Sequence, residues 1–569
     1  MSTMLATVWA HSWPGRVVQR LQLSVAKHRS LAGHPRIALW LARRMPGYAY
    51  SEVEAFGVDA APEEVVAQRR RSFGRVRDAL NARAPRTLAA TEALTHTVSD
   101  AAFVDANRVP FQFREVARAL RVGNVVSRTE GAQLCDLDGN WSYDLTGAYG
   151  VNLLGSDAYK RFMDQATAEA RDLGLVLGPY HPVVADNVRR LLEISRMDEV
   201  SFHMSGTEAV MQAVRLARYH TGRKHIVRFV GAYHGWWDGV QAGPGNPVPA
   251  RDVYTLPEMS ARTLDILRSR RDIACVLVNP LQAMSPNGSP GSDSTLVSND
   301  RSANYDKAAY SAWLAQLREV CTERGIALIL DEVFLGFRLA LGGAQAYFGV
   351  QADLVTYGKT LGGGLPVGAL CGKAAWMKRF RDDKPADICF ARGTFNSHPY
   401  VMTAMNAFLQ FITSPEGQAP YARLDETWNA RVAKLNGLLQ AEKLPVRVAN
   451  MTSIVTTLFC DPGRYHWMFQ YYLRLQGLTP AWTGSARFIF THDTTEATFD
   501  EIAARFVSAA RAMREDGWWW TDTTLTSKKI KRQVLTEVVR TAFGLRARPA
   551  PAPAAAQPAI PEKAAYGRG

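Results

Sequence analysis

Three short stretches of the chain put reactive side chains where apolar runs stop. Ala327–Leu330 ends in Asp331-Glu332-Val333, and Leu354-Val355-Thr356-Tyr357-Gly358 ends in Lys359. A carboxylate at the carboxyl edge of a buried strand stands where open α/β sheets bind ligands. It needs a partner, because an unpaired buried charge costs several kcal/mol, and by itself it serves equally as a helix cap or half of a salt bridge. Most lysines are solvated, but one at the end of a buried strand is a candidate amine nucleophile with a lowered pKa. The third stretch, Met204-Ser205-Gly206-Thr207-Glu208, directly precedes an apolar-periodic helix. The amides and hydroxyls of Ser205, Gly206 and Thr207 then lie at a helix amino terminus, which suits a phosphate as well as it suits an ordinary N-cap. Gly362-Gly363-Gly364, just after Lys359, lets backbone approach a bound ligand closely. A phosphate cradle, an acid and a lysine on one sheet are what pyridoxal phosphate requires.

The elements that must position these groups follow from the hydrophobic pattern. From about Val183 to Ala374, helical stretches such as Glu208–His220 alternate with apolar runs such as Ile226–Val230, Cys275–Val278 and Ala327–Leu330. That alternation predicts an α/β domain with a largely parallel sheet. Ser285–Tyr305, rich in Gly, Pro, Ser and Asn, interrupts it as a surface insertion. Upstream, Trp13–Arg44 reads as two basic amphipathic helices broken at Gly33-His34-Pro35, and Pro62–Ala84 as a connecting helix. Asp138-Gly139 joins two strand-like runs as a hairpin. Downstream, Phe506–Met513 is helical, and the Pro/Ala-rich sequence beyond Arg548 is expected to be disordered.

The runs HMSGTEAVMQAVRLAR, GAYHGW, LILDEVFLGFRLALGGAQAYFGV and DLVTYGKTLGGGLPVGAL resemble the class III aminotransferases of the fold-type I pyridoxal-phosphate superfamily, and within that class glutamate-1-semialdehyde aminomutase. The resemblance spans about Arg108 to Met513. It implies a large domain with a mostly parallel seven-stranded sheet and a smaller α+β domain. The expected division is 1–100 as a basic helical extension, 101–182 and 386–515 as the two parts of the small domain, 183–385 as the cofactor-binding domain, and 516–569 as a basic helical and disordered tail. The resemblance also implies that Lys359 forms the Schiff base with pyridoxal 5'-phosphate and then moves the proton between substrate and cofactor. Asp331 would pair with the pyridine nitrogen and raise its pKa. Tyr233 would stack on one ring face and Val333 press on the other, although both also suit plain core packing. Ser205, Gly206 and Thr207 would hold the phosphate, and Thr394 would reach it across the interface of a homodimer. Arg114 matches an arginine for the substrate carboxylate, whose fork suits that group; it also reads as a surface charge, since Phe111 stands where the family has serine. Tyr149 stands where the aminomutase has a pocket-lining tryptophan.

The departures from the aminomutase fall on the substrate side. The stretch after Gly235 is shorter than its gating loop, Gly484 replaces a glutamate near the cofactor, Ser156 replaces a histidine, and Asn279-Pro280 replaces a Glu-Pro pair. These departures predict amino transfer from a donor amino acid to a separate aldehyde or ketone. The alternatives are a 2,1-aminomutase and a vestigial site on a membrane- or protein-binding scaffold. Phe111, Trp236, Trp237 and Trp482 suggest a hydrophobic acceptor.

Composition bounds these readings. With 47% hydrophobic and 21% charged residues in 569, the chain is globular and neither collagen-like, wholly disordered nor a disulfide scaffold. The six cysteines are scattered singly and form no metal-ligand pattern, as expected of a reducing compartment. No basic residue precedes the apolar stretch Met4–Ala10, so a cytoplasmic protein is expected. The formal charge of +14 arises in residues 1–50 and 527–569, while the body is balanced, which argues against a nucleic-acid groove. The basic ends fit either peripheral contact with an anionic membrane, joined by Trp518-Trp519-Trp520, or packing of their apolar stripe on the body or a second subunit.

Overall fold

A computed structural model describes residues 13–288, 305–482, 487–522 and 524–545. Its largest element is a seven-stranded sheet, in spatial order Glu199–His203, Gly368–Gly372, Leu354–Gly358, Ala327–Asp331, Ile273–Val278, His225–Phe229 and Val253–Leu256. All six residues of Ile273–Val278 are buried, as are all five of Ala327–Asp331 and of Leu354–Gly358. Strands covered on both faces have no polar side to present, which is why they read as unbroken apolar runs. The five strands from Leu354–Gly358 to Val253–Leu256 pair in parallel, and Gly368–Gly372 runs antiparallel to both of its neighbours. The register sets Asp331 beside Thr356, so the ends of the two strands that lead to Asp331 and Lys359 lie side by side.

A second core lies around two smaller sheets. One holds Val446–Met451, Ile454–Phe459 and Arg487–Ile489; the other holds Val126–Glu130, Gln133–Asp136, Trp141–Asp144 and Leu478–Thr479, with the Asp138-Gly139 turn where the sequence places it. The amino-terminal extension contributes to this core. Helix Glu63–Arg83 buries Val66, Phe73, Val76 and Leu80 there, beside Tyr48, Tyr50 and Phe56. Within its arginine run, Arg69 is fully buried and makes a two-pronged ion pair with Asp59, both contacts 2.8 Å.

The carboxyl-terminal segment closes the same core. Trp518 and Trp519, grouped with a membrane surface on sequence grounds, are buried in it, and Trp518 Nε1 donates to Tyr472 Oη at 2.8 Å. Aromatic residues next to a basic run have the composition of an interface, but here a core takes them in. In helix Ser527–Ala542, Glu537 accepts hydrogen bonds from the hydroxyls of Tyr48 and Tyr50, each at 2.7 Å, and pairs with buried Arg464 at 3.3 Å. The expected amino-terminal helices form as Trp13–Ala26 and Pro35–Ala42, and Leu21, Val25, Ile37 and Trp40 on them are exposed. The Pro/Ala-rich tail and most of the Ser285–Tyr305 insertion lie outside the described residues. Among the described residues no helix is long and apolar enough to cross a membrane, and no group of metal-ligating side chains occurs.

Candidate functional site

Ser205, Gly206, Thr207, Tyr233, Asp331, Val333 and Lys359 line one cavity of about 450 Å³ at the carboxyl edge of the large sheet. The first three begin helix Gly206–Thr221. Ser205 Oγ accepts from Glu208 N at 3.2 Å, and the Glu208 carboxylate accepts from Met204 N at 2.9 Å, a reciprocal cap that fixes the turn. The first amides of the helix have no partner within it and carry its positive dipole end. Glycine is needed at 206, where a Cβ would stand 2.5 Å from Val333 Cγ1. It is needed too at 235, where φ is +86° and a Cβ would stand 2.4 Å from Thr207 Oγ1.

Lys359 follows the strand Leu354–Gly358 directly and has φ +51°, a left-handed conformation that costs about 1 kcal/mol or more outside glycine. Its amine lies 5.9 Å from the centre of the Phe334 ring. Burial lowers its pKa, and the nearby Asp331 charge partly restores it. Asp331 is 4% exposed. Its Oδ1 accepts from Val333 N at 3.2 Å and Thr356 Oγ1 at 3.3 Å, and its Oδ2 lies 2.8 Å from His234 Nδ1. Burial pulls the pKa of His234 down against the opposing pull of Asp331, and the other ring nitrogen, Nε2, is buried without a hydrogen-bond partner. The sequence reading missed His234, although it stands next to Tyr233. Asn279 is a second supporting residue: its Nδ2 donates to Tyr233 O at 2.8 Å and holds that loop over the cavity. Glu332, next to Asp331, points away and caps helix Gly343–Phe348 by accepting from Ala344 N at 2.6 Å and Gln345 N at 3.1 Å; burial pushes its carboxyl up to about 7.

The remaining expected site residues lie elsewhere. Thr394 is exposed, in a loop after strand Lys384–Ile388. Arg114 opens the short helix Arg114–Ala117, half-buried, with Nε enclosed and without a hydrogen bond, and it does not line the cavity. Tyr149 lines a neighbouring cavity together with Arg108 and Arg474. Phe111, Trp236, Trp237 and Trp482 do not line the 450 Å³ cavity either; Phe111 packs edge-on against Tyr48 at 5.3 Å and Trp236 is exposed. Gly484 lies outside the described residues.

A cavity that joins a helix amino terminus, a buried amine and a buried carboxylate, with glycines that leave room between them, fits pyridoxal phosphate. Fold and site define a pyridoxal-phosphate enzyme of fold type I. The model for aminotransferase class III matches residues 117–284 and 301–509. The glutamate-1-semialdehyde 2,1-aminomutase of Nitratidesulfovibrio vulgaris (strain DP4) is 33% identical over 403 residues, which cover 68% of this chain and 90% of that protein. The β-phenylalanine aminotransferase of Variovorax paradoxus superposes with a TM-score of 0.63 at 25% identity, over 78% of this chain and 98% of that one. The glutamate-1-semialdehyde aminomutase of Pseudomonas aeruginosa PAO1 in complex with PMP does so with a TM-score of 0.62 at 18% identity, over 79% and 99%. The chain belongs to aminotransferase class III, and pyridoxal-phosphate-dependent amino transfer is its chemistry.

Proposed function

We propose that the chain carries an amino group from a donor amino acid to a separate aldehyde or ketone. The observation that carries the assignment of roles is the gathering of Lys359, Asp331 and the 205–207 turn around one cavity, with Tyr233 half-exposed at its mouth. When bound, pyridoxal phosphate supplies the electron sink that makes a proton on the substrate carbon labile. Ser205, Gly206 and Thr207 hold its phosphate at the helix terminus. Asp331 keeps the ring nitrogen protonated, since an opposite charge favours the charged form. His234 is a positioning residue that fixes one oxygen of that carboxylate. Val333 and Tyr233, which line the cavity, would pack against the ring. Lys359 anchors the cofactor and then takes and returns the proton; its burial lowers the pKa toward the range where a neutral amine can act as base. Thr394, exposed in one subunit, reaches the phosphate of a second, so the active unit is a homodimer. Arg114 remains the arginine that the family resemblance assigns to a substrate carboxylate.

The test is the half-reaction. The visible band of the loaded protein should bleach on addition of a suitable amino acid with release of one equivalent of keto acid, then return on addition of a carbonyl acceptor. The identity to glutamate-1-semialdehyde aminomutases favours a second reading, in which one 2-amino aldehyde is isomerised. Turnover without an external donor and without keto acid release would replace the first reading by the second. We further propose a cytoplasmic enzyme with peripheral contact to anionic membranes, through the exposed Leu21, Val25, Ile37 and Trp40 among the basic residues of the first helices. Salt-sensitive sedimentation with anionic, and not neutral, vesicles is the expected result.

A further inference from the structure

Next to the cofactor cavity lies another, of about 320 Å³, and part of its wall precedes the first residue of the family match. Leu80, Thr87 and Leu88 come from the helices of the amino-terminal extension, and Arg108 follows them; Arg474 comes from helix Phe469–Leu475. The two cavities share a partition, the turn Gly147–Gly150. All four of its residues have positive φ, at 51°, 46°, 57° and 91°. Tyr149 on this turn lines the second cavity, the adjoining Val151 lines the cofactor cavity, and a Cβ on Gly150 would stand 3.4 Å from Lys359 Cδ. One turn of chain therefore separates the second cavity from the lysine.

The charges in this wall are unbalanced. Arg108 is 7% exposed, its Nε is enclosed and unbonded, and among the described residues its guanidinium has no ion pair. Arg474 beside it donates to Pro480 O at 3.0 Å, yet its Nε is likewise enclosed and unbonded. Burial first, and the charge of Arg108 second, push its pKa down to about 9. The other charged groups of the wall are engaged elsewhere. Asp136 accepts from Asp138 N at 2.9 Å, from Asn140 N at 2.8 Å and from Asn140 Nδ2 at 2.9 Å. Arg121 pairs with Glu92 at 2.6 Å, and Arg83 donates to the carbonyls of Arg474 and Leu475 at 3.2 Å. Leu80, Leu88, Val104 and Val122 make the rest of the wall apolar. Two adjacent guanidinium groups in such surroundings are costly unless an anion joins them, and the planar fork of arginine fits carboxylate and phosphate oxygens.

We propose that this cavity binds the anionic end of the substrate, a carboxylate or phosphate on an apolar body, held by Arg108 and Arg474. The word substrate here rests on the amino-transfer reading; the anion site does not. The experiment is calorimetric titration of the cofactor-loaded full chain with hexanoate, hexyl phosphate and the neutral hexanamide. Hexanoate or hexyl phosphate should bind at least tenfold more tightly than the amide. Arg108→Gln and Arg474→Met should each remove that preference, and Arg108→Lys should keep part of it. Equal binding of acid and amide, or a preference unchanged in both arginine variants, overturns the proposal. Should Arg108→Gln fail to fold, Arg474→Met and the acid-to-amide ratio of the unmodified chain decide. Protein that binds hexanoate through these arginines but completes no half-reaction overturns the amino-transfer reading alone; protein that completes it and shows no anion preference overturns the anion site alone.

Discussion

The two cavities on either side of the Gly147–Gly150 turn treat buried charge in opposite ways. In the cavity proposed for the cofactor Asp331 has His234, Thr356 and the Val333 amide, and neighbouring Glu332 has two helix amides. In the second cavity Arg108 and Arg474 have carbonyls or nothing. The first site is electrostatically prepared before anything binds, which suits the proposal that it holds one and the same cofactor in every turnover. The second leaves its balance to the ligand, which is how a site selects among ligands by charge.

Substitutions can break or sharpen this contrast. The largest effect belongs to Lys359→Ala, which should abolish the visible band and lower turnover by ~10³-fold or more, given what a positioned acid/base contributes. Absorbance and steady-state rates check it. Asp331→Asn should cost roughly 10²-fold in kcat, as expected for one hydrogen bond to a charged group, and should change the pH profile because His234 loses its anionic partner.

A smaller effect is expected from Glu332→Gln, and its sign follows from the raised pKa. Between about 4.5 and 7 the folded chain keeps the Glu332 proton while the unfolded chain releases it. Stability is therefore highest at or below the unfolded value, falls as pH rises toward 7, and levels off beyond. The neutral glutamine removes that slope, so thermal melts of variant and parent should diverge by about 2–3 kcal/mol between pH 5 and 7. The smallest effect is that of Tyr149→Asn, which relieves a left-handed tyrosine. It should change stability by about 1 kcal/mol at most while raising KM for anionic acceptors, as read from kinetics.

What the sequence revealed depended on how local the signal was. Lys359, Asp331 and the 205–207 turn were legible because each closes or opens an element within a few residues, and strand edges collect such positions by topology. The pairing of His234 with Asp331 was not, because no periodicity links a loop histidine to a strand two crossovers away. Arg108 and Arg474 were less legible still: each is unremarkable in its own segment, and only the folded chain brings the two together at one cavity. Trp518 and Trp519 misled because composition reports that a residue seeks an apolar surface but not which one. The seven-stranded sheet was expected from alternating runs and the family resemblance; packing of the basic ends on the body was one of two readings, while the core role of helix Glu63–Arg83, read as a connector, was not foreseen.

That second core has a temporal consequence. It joins Tyr48 and Phe73 to Trp518, and Glu537 fastens the outermost layers. Contacts so distant along the chain are slow to form, because the closure of a long loop must precede them. The sheet that carries Lys359 ends by Gly372 and emerges far sooner. During synthesis the helices of the extension therefore wait for core partners made more than 400 residues later.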